Sequence, residues 1–240
     1  MSGHSKWATT HRQKAIVDAK RGAVFTKMAN IITIAARERG GDPNANASLR
    51  LAIDRARAAN MPKDNIERAI KRGTGELGGA QVEELYYEAL GPAGVQFVVK
   101  CLTDNRNRSA SAVRHLFTKV GGAFGAVLWN FQQLGVVRID QEEIAGKGVD
   151  MENFELELID QGASDLIKET EGISIYTDPK DLHKVREFIE KKGLKVASAD
   201  LEYVAKEKVS LDRSDQEKID KLMDELEDNE DINDYYTNLA

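Results

Sequence analysis

The residues with the clearest chemical reach are cations. Residues 1–79 hold 15 Lys and Arg against 7 Asp and Glu, a net of +8, while the remaining 161 residues hold 19 against 33, a net of −14. A basic lobe on an acidic body is the electrostatic footprint of polyanion binding at one end. The polar opening segment carries His4, Lys6, Arg12, Lys14, Lys20 and Arg21 with one acid, Asp18, and one indole, Trp7. Lys27 follows, and Lys63, Arg68, Lys71 and Arg72 cluster further on. Together these residues make up the expected nucleic-acid-binding surface. Such groups suit backbone phosphate, which positions a protein without specifying a base. A plain solvated helical face with i,i+4 pairs, such as Asp64 with Arg68, is the competing reading. Arg106 and Arg108 stand in the first turn of a helix that Asp104-Asn105 would cap. Two guanidinium groups beside unpaired helix-terminal N–H groups suit an anion or a partner contact.

Catalysis has no comparable footing. The chain has no His-Glu-x-x-His, no Walker phosphate loop and no nucleophile elbow. Its histidines, His4, His11, His115 and His183, are scattered, so no metal site is expected. A single cysteine, Cys101, excludes an internal disulfide framework and a cysteine-based metal cluster, and reads as a small buried hydrophobe. Residues 73–78 match G-x-G-x-x-G, but they follow a helical pattern rather than a strand and read as a linker. The acidic C-terminal stretch lacks the calcium-loop signature. The reading is a non-enzyme with no cofactor and no small-molecule substrate. No apolar run is long enough to span a membrane and no signal-like core opens the chain, so a cytoplasmic protein without a membrane partner is expected.

These cations need elements to position them. Val24, Met28, Ile31, Ile32 and Ala35 recur at helical spacing, and Gly40-Gly41 stops the run. Leu49, Ala52, Ile53 and Ala56 predict a second helix. Ile66, Ala69 and Ile70 predict a third, ending near Gly73, with Asn60 read as its cap and Pro62 in its first turn. Three short amphipathic helices bury their stripes only against one another. Beyond the linker, Val82–Leu90 and Val95–Leu102 read as strands, and Val113, Leu116, Phe117 and Val120 as the inner stripe of a helix. Trp129, Phe131 and Val136–Ile139 return to strand character. Residues 141–208 alternate helices and strands in the manner of a ferredoxin-like domain, with Phe154, Leu158 and Ile159 as core candidates. Ile219, Leu222, Met223 and Leu226 line a last helix, followed by a frayed acidic tail, with Tyr235 and Tyr236 as the residues that would tuck it back onto the body.

Several runs carry a resemblance. Gly3-His4-Ser5-Lys6-Trp7, Asp18-Ala19-Lys20-Arg21-Gly22, Phe25-Thr26-Lys27, the stretch from Ala58 to Ile70 and Cys101-Leu102-Thr103-Asp104-Asn105-Arg106-Asn107-Arg108 resemble the YebC/PmpR family, which includes mitochondrial translational activators of cytochrome oxidase. The resemblance covers essentially the whole chain. It implies a multidomain α+β protein: an N-terminal three-helix domain (1–78), an α/β domain (79–137 plus 209–240), and a third domain (138–208) inserted into the second, both ferredoxin-like. It implies a regulator of gene expression. The first reading is a DNA-binding transcriptional regulator, and the alternative is a translation factor on ribosomal RNA or the ribosome. This sequence departs from the usual family pattern at residues 8–14, where the basic character is kept, and at Gly125-Ala126-Val127-Leu128-Trp129.

Overall fold

The computed structural model describes residues 21–240. Three helices come first, α1 (Arg21–Arg39), α2 (Ala47–Ala58) and α3 (Lys63–Gly73). Their stripes close one core of Ile32, Ala36, Leu49, Ile53, Ala56, Met61, Ile66 and Ala69. Asn46 is buried because it serves two elements at once. Its amide donates to Ala35 O at 2.8 Å and Gly40 O at 2.9 Å, and its Oδ1 accepts from Leu49 N at 3.0 Å, capping α2. α3 crosses α1 closely at Gly73, where a Cβ would lie 2.4 Å from Thr33 O, so only hydrogen fits. Asn60 does not cap α3. Its φ of 58° is left-handed, and Met61 N–H donates back to Ala56 O at 2.9 Å. Asn therefore closes α2, and α3 starts after Pro62, which offers no side-chain cap.

The first sheet has the order β3-β1-β2-β8, built from β1 (Glu83–Leu90), β2 (Gln96–Thr103), β3 (Ala123–Phe124) and β8 (Ile232–Thr237), antiparallel throughout. α4 (Arg106–Lys119) and α8 (Arg213–Asp228) contribute Val113, Phe117, Ile219, Leu222 and Leu226 to its core. Cys101 lies in that core, fully buried. The acidic tail is not frayed. Ile232–Thr237 pairs with β2, and Tyr235 and Tyr236 are buried, because β2 otherwise leaves an edge of unpaired backbone groups.

The second sheet, β5-β6-β4-β7, is also antiparallel. It comprises β4 (Phe131–Asp140), β5 (Ala163–Lys168), β6 (Gly172–Thr177) and β7 (Ser198–Ala205). Helices α5 (Gln141–Lys147), α6 (Met151–Gln161) and α7 (Leu182–Lys191) accompany it, and Phe154, Leu158, Val185 and Ile189 pack with Val137, Ile139, Ile173 and Ile175. β4 is one continuous strand between β6 and β7, so a boundary at 137/138 cuts through it. By internal contacts Leu128–Lys208 forms one compact unit, and residues 21–127 with Val209–Leu239 belong to another. Ile159 is 56% exposed rather than a core residue, since Phe154 and Leu158 already fill the inward face of α6. An N-terminal helical region is thus followed by α/β domains with antiparallel sheets. Among the described residues no helix is long and apolar enough to cross a membrane.

Candidate nucleic-acid interface

α3 presents the cations of the cluster at 63–72. Its buried side is Ile66, Ala69 and Gly73, which turns Lys63, Asp64, Glu67, Arg68 and Lys71 to solvent. Lys63 pairs with Glu67 at 3.4 Å, both side chains more than half exposed. Asp64 makes no pair with Arg68, contrary to the sequence-based alternative. Arg68 and Lys71, one turn apart, are exposed and have no ion-pair partner among the described residues. They lie in the C-terminal half of the helix, where a cation also complements the helix dipole.

Arg72 does something else. Its Nη2 donates to Ala80 O at 3.0 Å and to Asp104 Oδ2 at 3.1 Å, tying the end of α3 to the linker and to the β2–α4 corner. Lys27 turns inward as well. Half-buried on α1, it donates through Nζ to Glu227 O at 2.5 Å. Burial pulls its ammonium down to about 8, against the opposing pull of the Glu227, Asp234 and Asp228 carboxylates. Lys27 thus differs from Arg68 and Lys71 in being half-buried and bonded to backbone. His4, Lys6, Trp7, Arg12, Lys14 and Lys20 lie outside the described residues, and of Arg21 only its position at the start of α1 is described.

The two guanidinium groups at the start of α4 are both engaged. Asn105 caps α4, its Oδ1 accepting from Arg108 N at 3.0 Å. Arg106 Nε bonds Glu83 Oε2. Arg108 forks onto Asp231 and also reaches Asp104 Oδ1 at 3.1 Å. Partial burial alone would raise the Asp104 carboxyl, but its bonds to Arg72 and Arg108 hold it below its ordinary value. Arg72, Asp104, Arg108 and Asp231 form a balanced chain of charge linking α3, β2, α4 and β8. These pairs brace the fold, and each guanidinium group already has a carboxylate partner. The Asp104–Arg108 contact was legible from its i,i+4 spacing. Asp231 carries no such signal.

Trp129 is a feature that strand character concealed. It sits in a tight turn, Leu128–Asn130, ahead of β4, and is 63% exposed. Among the described residues no His, Cys, Asp and Glu cluster is arranged to hold a metal ion.

Both halves of the chain match known families. Residues 5–76 match the TACO1/YebC protein N-terminal domain, and residues 82–239 match the TACO1/YebC second and third domain. The chain belongs to the TACO1/YebC family. Similar relatives are called "Probable transcriptional regulatory protein". One from Caldanaerobacter subterraneus is 45% identical over 100% of this chain and 98% of its own. One from Geobacter sulfurreducens is 47% identical over 99% of this chain and 95% of its own. The crystal structure of a conserved hypothetical protein from Aquifex aeolicus superposes with a TM-score of 0.81 at 40% identity, covering 93% of this chain and 92% of that one.

Proposed function

We propose that this protein is a non-catalytic regulator of gene expression that binds nucleic acid through its helical region, with duplex DNA and transcriptional control as the first reading. The carrying observation is the exposed pair Arg68 and Lys71 on α3, with no acid paired to either among the described residues. The names of the relatives support the transcriptional side of the reading. The two sheets support an architecture of two ferredoxin-like domains, the one carrying β4–β7 inserted into the other.

A second reading, a translation factor on ribosomal RNA or the ribosome, is favoured by the other half of α3. Asp64 and Glu67 occupy the exposed N-terminal turns. A helix reading bases in the major groove places its N-terminal residues against base edges between phosphates, where the Asp64 carboxylate, which has no cation paired to it among the described residues, is repelled, although Lys63 pairs with Glu67. Phosphate contact from the C-terminal half needs no groove entry and suits structured RNA.

The test is crosslinking of tagged protein in growing cells, with DNA and RNA recovered together, beside an Arg68→Glu/Lys71→Glu variant. Promoter DNA that the variant fails to recover supports the first reading. Ribosomal RNA that the variant fails to recover replaces it with the second. Equal recovery by wild type and variant overturns the α3 surface.

A further inference from the structure

We propose that the outer face of α6 is a docking site for a basic amphipathic helix of another protein, with Leu156 and Ile159 as apolar anchors and Glu152 and Asp160 as the acids that meet its cations. The site lies within the unit Leu128–Lys208 and does not depend on the nucleic-acid reading above.

The first observation is a second apolar stripe, on the solvent side of the helix. Phe154 and Leu158 are buried in the core of the second sheet. Leu156 and Ile159 fall roughly opposite them at 3.6 residues per turn. Leu156 is 64% exposed, the most of any large apolar side chain among the described residues, and Ile159 is 56% exposed. Single exposed apolar side chains are ordinary, but these two stand three apart and adjoin on one face. The second observation is how firmly the helix is held. Asp150 caps it, its Oδ1 accepting from Glu152 N at 3.2 Å, and Gly162 ends it in the left-handed region. Phe154 stacks on Phe188 with ring centroids 6.5 Å apart, and Glu157 accepts from Lys192 Nζ at 2.6 Å. A stripe on such a helix is in place before a partner arrives.

The third observation is the charge around the stripe, which selects the partner. Glu152 precedes Leu156 by one turn and Asp160 follows it by one turn. Both are exposed, and neither has an ion-pair partner among the described residues. Glu155 borders Ile159 on the other side and holds Lys168 at 3.4 Å. Carboxylates on this rim repel phosphate, so neither nucleic acid nor an anionic membrane surface suits it. A second copy of α6 laid antiparallel would set Glu152 against Asp160, and laid parallel would set each acid against itself, so self-pairing is opposed as well. A helix with apolar residues three or four apart, and Lys or Arg on both sides of them, matches the stripe and the rim together.

The experiment uses the full chain and two fluorescent peptides of about 18 residues, long enough to form a helix. Both have the same content of Leu, Ala, Lys and Arg. In one the leucines form a single stripe, and in the other they are dispersed around the helix. The striped peptide is expected to bind at least about tenfold more tightly. Leu156→Ser/Ile159→Ser should abolish that preference. Glu152→Lys/Asp160→Lys should weaken binding of the striped peptide and flatten its salt dependence. Neither double variant should lower the urea midpoint, whereas Leu158→Ala, which opens a cavity in the core, should lower it. Equal binding of both peptides by wild type would mean general attraction to an acidic body and overturn the site, as would a wild type that binds neither. A Leu156→Ser/Ile159→Ser variant that keeps the preference, or that unfolds as readily as Leu158→Ala, also overturns it. Sedimentation and co-flotation with phosphatidylcholine vesicles test the other occupants. A dimer or a vesicle-bound form that Leu156→Ser/Ile159→Ser abolishes would assign the stripe to self-association or to lipid and overturn the proposal. No nucleic acid is present in these measurements, so a failure here leaves the reading of Arg68 and Lys71 standing.

Discussion

Arg108 and Asp231 are 123 residues apart in sequence and meet in a two-bonded fork, Nε to Oδ2 at 2.8 Å and Nη2 to Oδ1 at 2.7 Å. The two partners differ in surroundings. The Arg108 side chain is 55% exposed and the Asp231 side chain 8%. Removing the arginine strands a buried carboxylate, while removing the aspartate leaves a guanidinium that water can reach. Arg108→Ala is therefore expected to cost about 2 kcal/mol and Asp231→Ala about 1 kcal/mol. Urea unfolding of both variants measures the asymmetry. Equal costs would mean that the carboxylate finds water once its partner is gone. Because Arg108 is already engaged, Arg108→Ala should leave nucleic-acid affinity unaltered, whereas an anion site at the start of α4 would lose it.

That fork also shows where sequence reasoning reaches and where it stops. The stripes Leu49-Ala52-Ile53-Ala56 and Ile219-Leu222-Met223-Leu226 were legible because helix burial follows a local period of 3.6. β1 and β2 were legible from dense β-branched and aromatic runs. β8 was not, since Ile232-Asn233-Asp234-Tyr235-Tyr236-Thr237 follows a run of acids and acquires its structure from β2, more than a hundred residues earlier. Asn60 was misplaced because Asn serves both as an N-cap and as a left-handed terminator, and only the backbone decides. In the candidate site, charge identified Arg68 and Lys71 but did not separate them from Lys27, Arg72, Arg106 and Arg108. Identity gives the charge of a group. Its partner, usually far away in sequence, decides whether that charge faces solvent.

The second sheet contains a stronger version of the same lesson. Arg138 on β4 and Glu202 on β7 are bonded twice, at 2.5 and 2.9 Å, with both side chains under 10% exposed. Each alone would be a buried charge. Glu202→Leu or Arg138→Leu is expected to destabilise the protein by about 3–5 kcal/mol, while the double replacement Arg138→Leu/Glu202→Leu should recover most of that loss. Thermal or urea unfolding of the three variants completes a double-mutant cycle. Additive losses would show that the pair does not act as one unit.

Lys27 gives the fold a pH dependence with a definite sign. Its ammonium is pulled down to about 8 from an ordinary 10.5, chiefly by burial. Below about pH 8 it is charged in both native and unfolded states, and the penalty for burying the charge is fully present. Between 8 and 10.5 the unfolded chain holds a proton that the native protein has released, so stability rises with pH across that window. The slope reaches at most about 1.4 kcal/mol per pH unit. The Cys101 thiol pulls the other way. Burial and Asp231 push it up to about 12 from 9.0, so above pH 9.0 the unfolded chain loses a proton that the native protein keeps. The comparison is therefore between Cys101→Ala and Cys101→Ala/Lys27→Met. Their difference in unfolding free energy should be flat up to about pH 8, then shift by about 3 kcal/mol in favour of the lysine protein by pH 10.5. Parallel curves would mean that the ammonium is hydrated in solution. In that case the bond to Glu227 O does not hold it inside, and Lys27 returns to the set of solvent-facing cations.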